Sequence, residues 1–139
     1  MAISYNNIGI IYKEQGNYAQ ALAYYEESLK IREEIGDKKG IGSSLGNIGT
    51  IYWGQGNYEE ALEYYQKGLK IRVETGDKKG MANTYNNIGN IYKDQGNNEL
   101  AVKYFHISLK IREEIGAKDE MASSYINLGD LSSMQENYK

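Results

Sequence analysis

Four asparagines occupy one register of this 139-residue chain: Asn7, Asn47, Asn87 and Asn127. A carboxamide carries a donor and an acceptor together. A row of them could hold the N–H and C=O groups of an extended peptide without reading its side chains. Their flanks add Asn6, Asn86, Thr50 and Asn90, which can all hydrogen-bond, with Lys13 and Lys93 at the margin. Trp53, the single tryptophan, stands where those lysines stand. Tryptophan is a frequent interface anchor, and packing over a neighbouring helix is its other reading. Asparagine is a mediocre helix former, so a repeated one needs a reason. Two reasons stay open: contact with a peptide, or bonding to a neighbouring helix in a recently duplicated sequence.

Other chemistry is excluded or weak. Cysteine is absent, which removes disulfides, thiolate metal sites and a cysteine nucleophile. His106 is the only histidine, at a polar helix position, and reads as surface decoration. "GIGSSLG" at residues 40–46 has its third glycine displaced from the dinucleotide spacing, and no strand precedes it. No phosphate loop or catalytic constellation stands out, so no enzyme activity, catalytic residue, metal or cofactor is expected. The net charge of −3, with both signs interspersed, argues against nucleic acid. No apolar run approaches a membrane span, and the start "MAISYNNIG" lacks a signal-peptide pattern. A cytoplasmic location is expected.

The elements that carry these residues come from a repeat. Residues 16–55 and 56–95 align without a gap at more than half of their positions, and a third copy begins at Gly96. Tyr85, Ile88, Gly89 and Tyr92 make one helical stripe. Ala61, Leu62, Tyr65, Leu69 and Val73 make a second. At the "QGN" joint Gly56 can close one helix and Asn57 can cap the next, with Glu60 completing a capping box. At "GDKKG" Gly76 terminates and Asp77 caps. The expected organisation is one all-α helical-repeat array over 1–139. Its helix pairs cover about 1–36, 37–76 and 77–116, and an unpaired helix covers about 117–135.

At about 100° per residue, the arc facing away from the first-helix stripe can be read off. It holds Ile3, Asn7, Ile10 and Glu14, then Ser43, Asn47, Thr50 and Gly54. Next come Asn83, Asn87, Asn90 and Asp94, then Ser123, Asn127, Asp130 and Met134. Gly9, Gly49, Gly89 and Gly129 lie mid-helix, where glycine costs about 1 kcal/mol against alanine. Close approach of the second helix at Ala21, Ala61 and Ala101 would explain them.

Tyr5, Ile8-Gly9, Tyr12, Ala21 and Tyr25 form a pattern that returns as Leu45, Ile48-Gly49, Tyr52, Ala61 and Tyr65, and as Tyr85, Ile88-Gly89, Tyr92, Ala101 and Phe105. Tyr125 and Leu128-Gly129 begin a fourth, with Ser132 in place of the tyrosine. This pattern resembles the tetratricopeptide repeat. The period of forty and the absence of proline resemble its longer-repeat branch, found in Pins-type proteins, kinesin light chains and bacterial signalling proteins. The resemblance implies a right-handed superhelix of antiparallel helix pairs with about seven helices, whose first helices line a concave groove.

The resemblance also implies binding of a peptide or partner protein segment, with no nucleic acid and no membrane involved. The family's carboxylate clamp maps to Asn6, Ile10, Asn47, Asn83 and Asn87, where only Asn47 fits and no cation is present. The alternatives are a structural spacer or self-association module, and a ligand-sensing domain of a larger signalling protein. Tyr125, Leu128 and Leu131 on the closing helix predict some homo-oligomerisation. "GAKDE", which lacks the aspartate cap, predicts the loosest joint.

Overall fold

The computed structural model describes the backbone of residues 1–137 and the side chains of residues 1–129. Seven α-helices lie within it: α1 (Ala2–Glu14), α2 (Tyr18–Ile35), α3 (Lys38–Gly54), α4 (Tyr58–Thr75), α5 (Lys78–Asp94), α6 (Asn98–Ile115) and α7 (Lys118–Asn137). No strand occurs among the described residues. The chain forms two compact units, Met1–Asp77 and Lys78–Lys139.

Each joint ends in a left-handed residue that only glycine adopts cheaply. Gly16 has φ of 76°, and the Asn17 N–H reaches back to the Tyr12 carbonyl at 2.9 Å. Gly36 has φ of 71°, and the Asp37 N–H does the same to Arg32 at 2.9 Å. These are helix-closing turns that satisfy carbonyls otherwise left over at a helix end. The following residue caps the next helix. Asn17 accepts from the Gln20 N–H at 3.4 Å, Asn97 from Leu100 at 3.2 Å, and Asp37 from Gly40 at 3.1 Å. Asn57 departs from expectation: its side chain makes no cap bond. Glu59 and Glu60 in the first turn of α4 supply the negative charge that the helix dipole favours there.

Within the first unit α1 packs on α2, α2 on α3 and α3 on α4. Ala21 and Tyr25 of α2 meet Ile48 and Ile51 of α3, and this cluster is the centre of the core. In the second unit Ala101 and Phe105 of α6 hold the same place, with Tyr92 of α5 and Leu128 of α7 against them.

Gly9, Gly49 and Gly89 are explained by close approach of the second helix: an aromatic ring is the main occupant, and at Gly49 the Ala61 carbonyl also lies 3.3 Å from a Cβ position. A Cβ on Gly9 would lie 2.8 Å from the Tyr25 ring, and one on Gly89 would lie 2.7 Å from the Phe105 ring. Each glycine is thus a notch that receives an aromatic ring from the second helix. The residue before that ring serves a second purpose. Tyr24 stacks on Tyr12 at 5.5 Å between ring centroids, Tyr64 on Tyr52 at 5.4 Å, and Tyr104 on Tyr92 at 5.5 Å. Paired aromatics of this kind add about 0.5–1.5 kcal/mol beyond the area they bury. Two helix-to-helix roles for tyrosine explain its abundance.

One expected core position is wrong. Val73 is 53% exposed. The buried line of α4 runs instead through Ala61, Tyr65 and Gly68, and the arginine in that register is the buried Arg32 in α2 and Arg112 in α6. Arg32 Nη1 donates to the Ser44 hydroxyl at 2.9 Å and to the Gly40 carbonyl at 3.0 Å. Arg112 Nη1 donates to Ser124 Oγ at 2.7 Å and to the Glu120 carbonyl at 3.1 Å. Arg112 Nη2 reaches Asn83 Oδ1 at 3.3 Å. Each arginine therefore ties the last turn of a second helix to the first turns of the helix that follows.

The third joint relocates its carboxylate. A Cβ at Gly40 would overlap the Asp37 carboxylate, so aspartate cap and glycine belong together. In the third copy they become Ala117 and Glu120. Burial pushes the Arg112 guanidinium below its ordinary value, and the charge of Glu120 opposes that shift.

Tyr65 is 1% exposed, and its hydroxyl meets Thr50 Oγ1 at 2.7 Å. Burial pushes its pKa up to about 12 from an ordinary 10.0, with the Thr50 hydrogen bond opposing. The unfolded chain therefore loses this proton first as pH rises. The associated stability is whole below pH 10.0 and is lost between there and about 12. Urea unfolding followed against pH is expected to lose about 2–3 kcal/mol over that window from this residue alone. Tyr65→Phe should remove that part of the slope.

Candidate functional site

The asparagine face is built separately in each unit. In the first, Asn7 is exposed on α1, while Asn6 and Asn47 are half-buried on α1 and α3. Asn47 Nδ2 donates to Asn6 Oδ1 at 2.8 Å. In the second, Asn127 Nδ2 of α7 donates to Asn86 Oδ1 of α5 at 3.2 Å. The two bonds repeat one geometry: the amide of one first helix locks to the amide one residue earlier in register on the first helix before it. Gly46 stands where Asn6 and Asn86 stand, so the register carries that acceptor in only two of its places.

A locked amide is oriented, and it is not used up. One N–H of Asn47 goes to Asn6, which leaves its Oδ1 and a second N–H, while both N–H groups of Asn6 stay available to a partner. The remaining residues of the face divide. Asn87, Asn90, Lys13 and Lys93 are half-buried, as is Trp53, whose two readings were an interface anchor and packing over a neighbouring helix. Thr50 spends its hydroxyl inward, on the Gly46 carbonyl at 3.1 Å and on Tyr65. Ile10 packs against the core cluster of the first unit. Asn83 is engaged by Arg112. Asp130, Leu131, Ser132 and Met134 lie outside the residues whose side chains are described.

The first unit also holds a cleft of about 480 Å³ lined by α2, α3 and α4. Leu29, Ile41, Leu45 and Ile71 form its apolar lining, with Glu33 and Lys70 at the edge. Its size suits a small ligand, but rim charges of both signs select no ligand chemistry. Across the described residues no cluster of metal-ligating side chains occurs. His106 is exposed on α6. The Glu63–Lys67 pair on α4, at 3.2 Å and well exposed, is a solvated surface pair worth little. No described helix is long and apolar enough to cross a membrane.

Repeated antiparallel helix pairs, with a glycine notch in the first helix and an aromatic in the second, define an α-helical repeat protein. The tetratricopeptide repeat family profile matches residues 1–72 and 80–139, and the chain belongs to that family. A comparison with curated proteins finds no match. Among solved structures, BtubC (BKLC) from P. vanneervenii is similar at a TM-score of 0.85 and 22% identity, over 99% of this chain and 57% of that one. The apo form of RapI gives 0.87 and 21%, over 99% of this chain and 50% of that one. Aspartyl phosphate phosphatase F from Bacillus subtilis gives 0.94 and 17%, over 99% of this chain and 36% of that one. At these identities the likeness is one of fold. The chain spans between about a third and three fifths of these neighbours.

Proposed function

We propose that this chain is a protein-interaction module, without catalytic activity of its own, working in the cytoplasm. Its asparagine faces take an extended segment of a partner protein. The observation that carries the reading is the pair of amide locks, Asn47 to Asn6 and Asn127 to Asn86. Each lock fixes which way an amide points and leaves donors and an acceptor for a peptide backbone. Membership of a family of helical repeats supports a binding role. A function of this kind rests on a site and not on the fold, so the asparagines are the place to test it. Peptides selected on the chain are expected to lose at least tenfold in affinity, about 1.4 kcal/mol, on an Asn47→Ala/Asn87→Ala variant. Equal binding to parent and variant would move the site elsewhere. Self-association is the second reading, favoured by the exposed Ile3, Ile8 and Ile11 of α1. A mass that stays monomeric over a wide concentration range removes it.

A further inference from the structure

The cleft of the first unit carries a charge order in its rim that the repeat does not explain. Its apolar lining comes from Leu29 of α2, Ile41 and Leu45 of α3, and Ile71 of α4, and all its walls lie within residues 29–74. Both neighbours of α3 run against it. On α2, Tyr25 lies with Ile48 and Ile51, while Arg32, about two turns later, bonds to Gly40 and Ser44. On α4, Tyr65 meets Gly49 and Thr50, while Arg72 crosses Gly42. The two helices α2 and α4 therefore point the same way. Glu33 and Glu74 closely follow those arginines, so they line the end of the cleft beside the start of α3. Lys67 and Lys70 line the end further along α3, with Lys67 next to Gly68, which lies on Leu45. From Lys67 to Glu74 is about 10 Å along α4. All four charged side chains are exposed. Glu33, Lys70 and Glu74 make no ion pair among the described residues, and Lys67 is held by the solvated pair with Glu63. Lys67 stands where the other copies have Glu27 and Ile107, so the basic end belongs to this cleft and not to the repeat.

We propose that this cleft docks an amphipathic helix of a partner protein, acidic in its first turn and basic about two turns later, lying in the same direction as α2 and α4. Charges of both signs select no small ligand, yet their separation along the cleft selects a dipolar segment. Apolar side chains three and four residues apart on the partner enter between Leu29, Ile41 and Ile71, as a helix laid in a groove does. Its acidic residues meet Lys67 and Lys70, and its basic residues meet Glu33 and Glu74. A helix favours that order by itself, because its dipole favours acid at the start and base at the end. The occupant is thus specified by charge order and not by apolarity alone. The asparagine faces offer amides to an extended backbone, whereas the cleft offers apolar surface between ends of opposite charge, so the two ask for different segments.

The test uses the 139-residue chain and two blocked synthetic peptides of about 16 residues. Both carry leucines three and four apart. One has glutamates in its first turns and lysines in its last, and the other has the reverse. Titration calorimetry is expected to give a dissociation constant of about 50 μM for the acid-first peptide, since ordering a short helix opposes binding. The base-first peptide should bind at least about fivefold more weakly. The exchanged chain, Glu33→Lys/Lys67→Glu/Lys70→Glu/Glu74→Lys, keeps the net charge at −3 and alters exposed side chains alone, so its circular dichroism should match the parent's. On it the preference between the peptides should invert, which separates the charges of the cleft from the lower helicity of the base-first peptide. No binding of the acid-first peptide, equal binding of the two, or an unchanged preference on the exchanged chain overturns the inference. So does loss of acid-first binding on Asn47→Ala/Asn87→Ala, which places the peptide on the asparagine face. A parent that dimerises without peptide, beside an exchanged chain that does not, overturns it as well, because the cleft then belongs to a second copy.

Discussion

Leucine at residue 89 is expected to destabilise the chain by about 3 kcal/mol, while leucine at residue 129 stabilises it by up to about 1 kcal/mol. The two glycines share a register, so intrinsic helix propensity is the same and favours leucine at both. Their surroundings decide the sign. At Gly89 the new Cβ would lie 2.7 Å from two atoms of the Phe105 ring, which is fully buried and has no free side to move toward. The ring must leave its notch, and expelling a buried phenylalanine costs about as much as deleting it. At Gly129 nothing stands within 4 Å, so only the gain in propensity remains. Urea unfolding of the two single variants measures both. If both changes carried the same sign, the ring-in-notch account of the repeat would fail, and with it the reason for glycine in mid-helix.

That account also shows what the sequence could and could not disclose. Helices and joints were legible because they rest on local rules: apolar spacing, left-handed glycines and capping side chains act within a few residues. The notch was legible as a need for closeness. Its main occupant was missed, because alanine and tyrosine four residues apart lie on the same helical face, and only at Gly49 does the alanine, through the Ala61 carbonyl, also come close. Tyr25 reaches Gly9 through the length of its side chain, a distance that pattern alone does not give. The Asn47–Asn6 bond was hidden by its offset, since the partners stand one residue apart in register and a repeat alignment pairs Asn47 with Asn7. Trp53 could be read either as an anchor at the margin or as packed over a neighbouring helix, because its siblings are lysines, and it is half-buried. Yet Lys13 and Lys93 are half-buried as well.

The arginines were the larger omission. The apolar stripes of the second helices gave Arg32, Arg72 and Arg112 no place in the core. A signal was nevertheless present. Arg32, Arg72 and Arg112 stand in one register, and a serine or threonine follows twelve residues after each, at Ser44, Thr84 and Ser124. A hydroxyl at a constant offset from a cation is what a buried guanidinium needs, because burying the charge without partners is costly.

Arg112→Met therefore should cost about 3 kcal/mol, more than the loss of one hydrogen bond. Methionine fills the space but leaves the Ser124 hydroxyl, the Glu120 carbonyl and the Asn83 amide oxygen without their donor. Ser124 is fully buried, so water cannot replace the arginine there without opening the joint. Ser124→Ala alone should cost about 1 kcal/mol, because the guanidinium keeps its other acceptors. The double variant should cost about 1 kcal/mol less than the sum, because neither change then leaves an unsatisfied partner for the other. The site of the loss is as informative as its size. Since Arg112 joins α6 to α7, hydrogen exchange should show α7 losing protection before α5 does. Loss spread evenly over both helices would mean that the arginine supports the second unit as a whole. Loss confined to α7 makes this joint the element that holds α7, and Asn127 on it, in position.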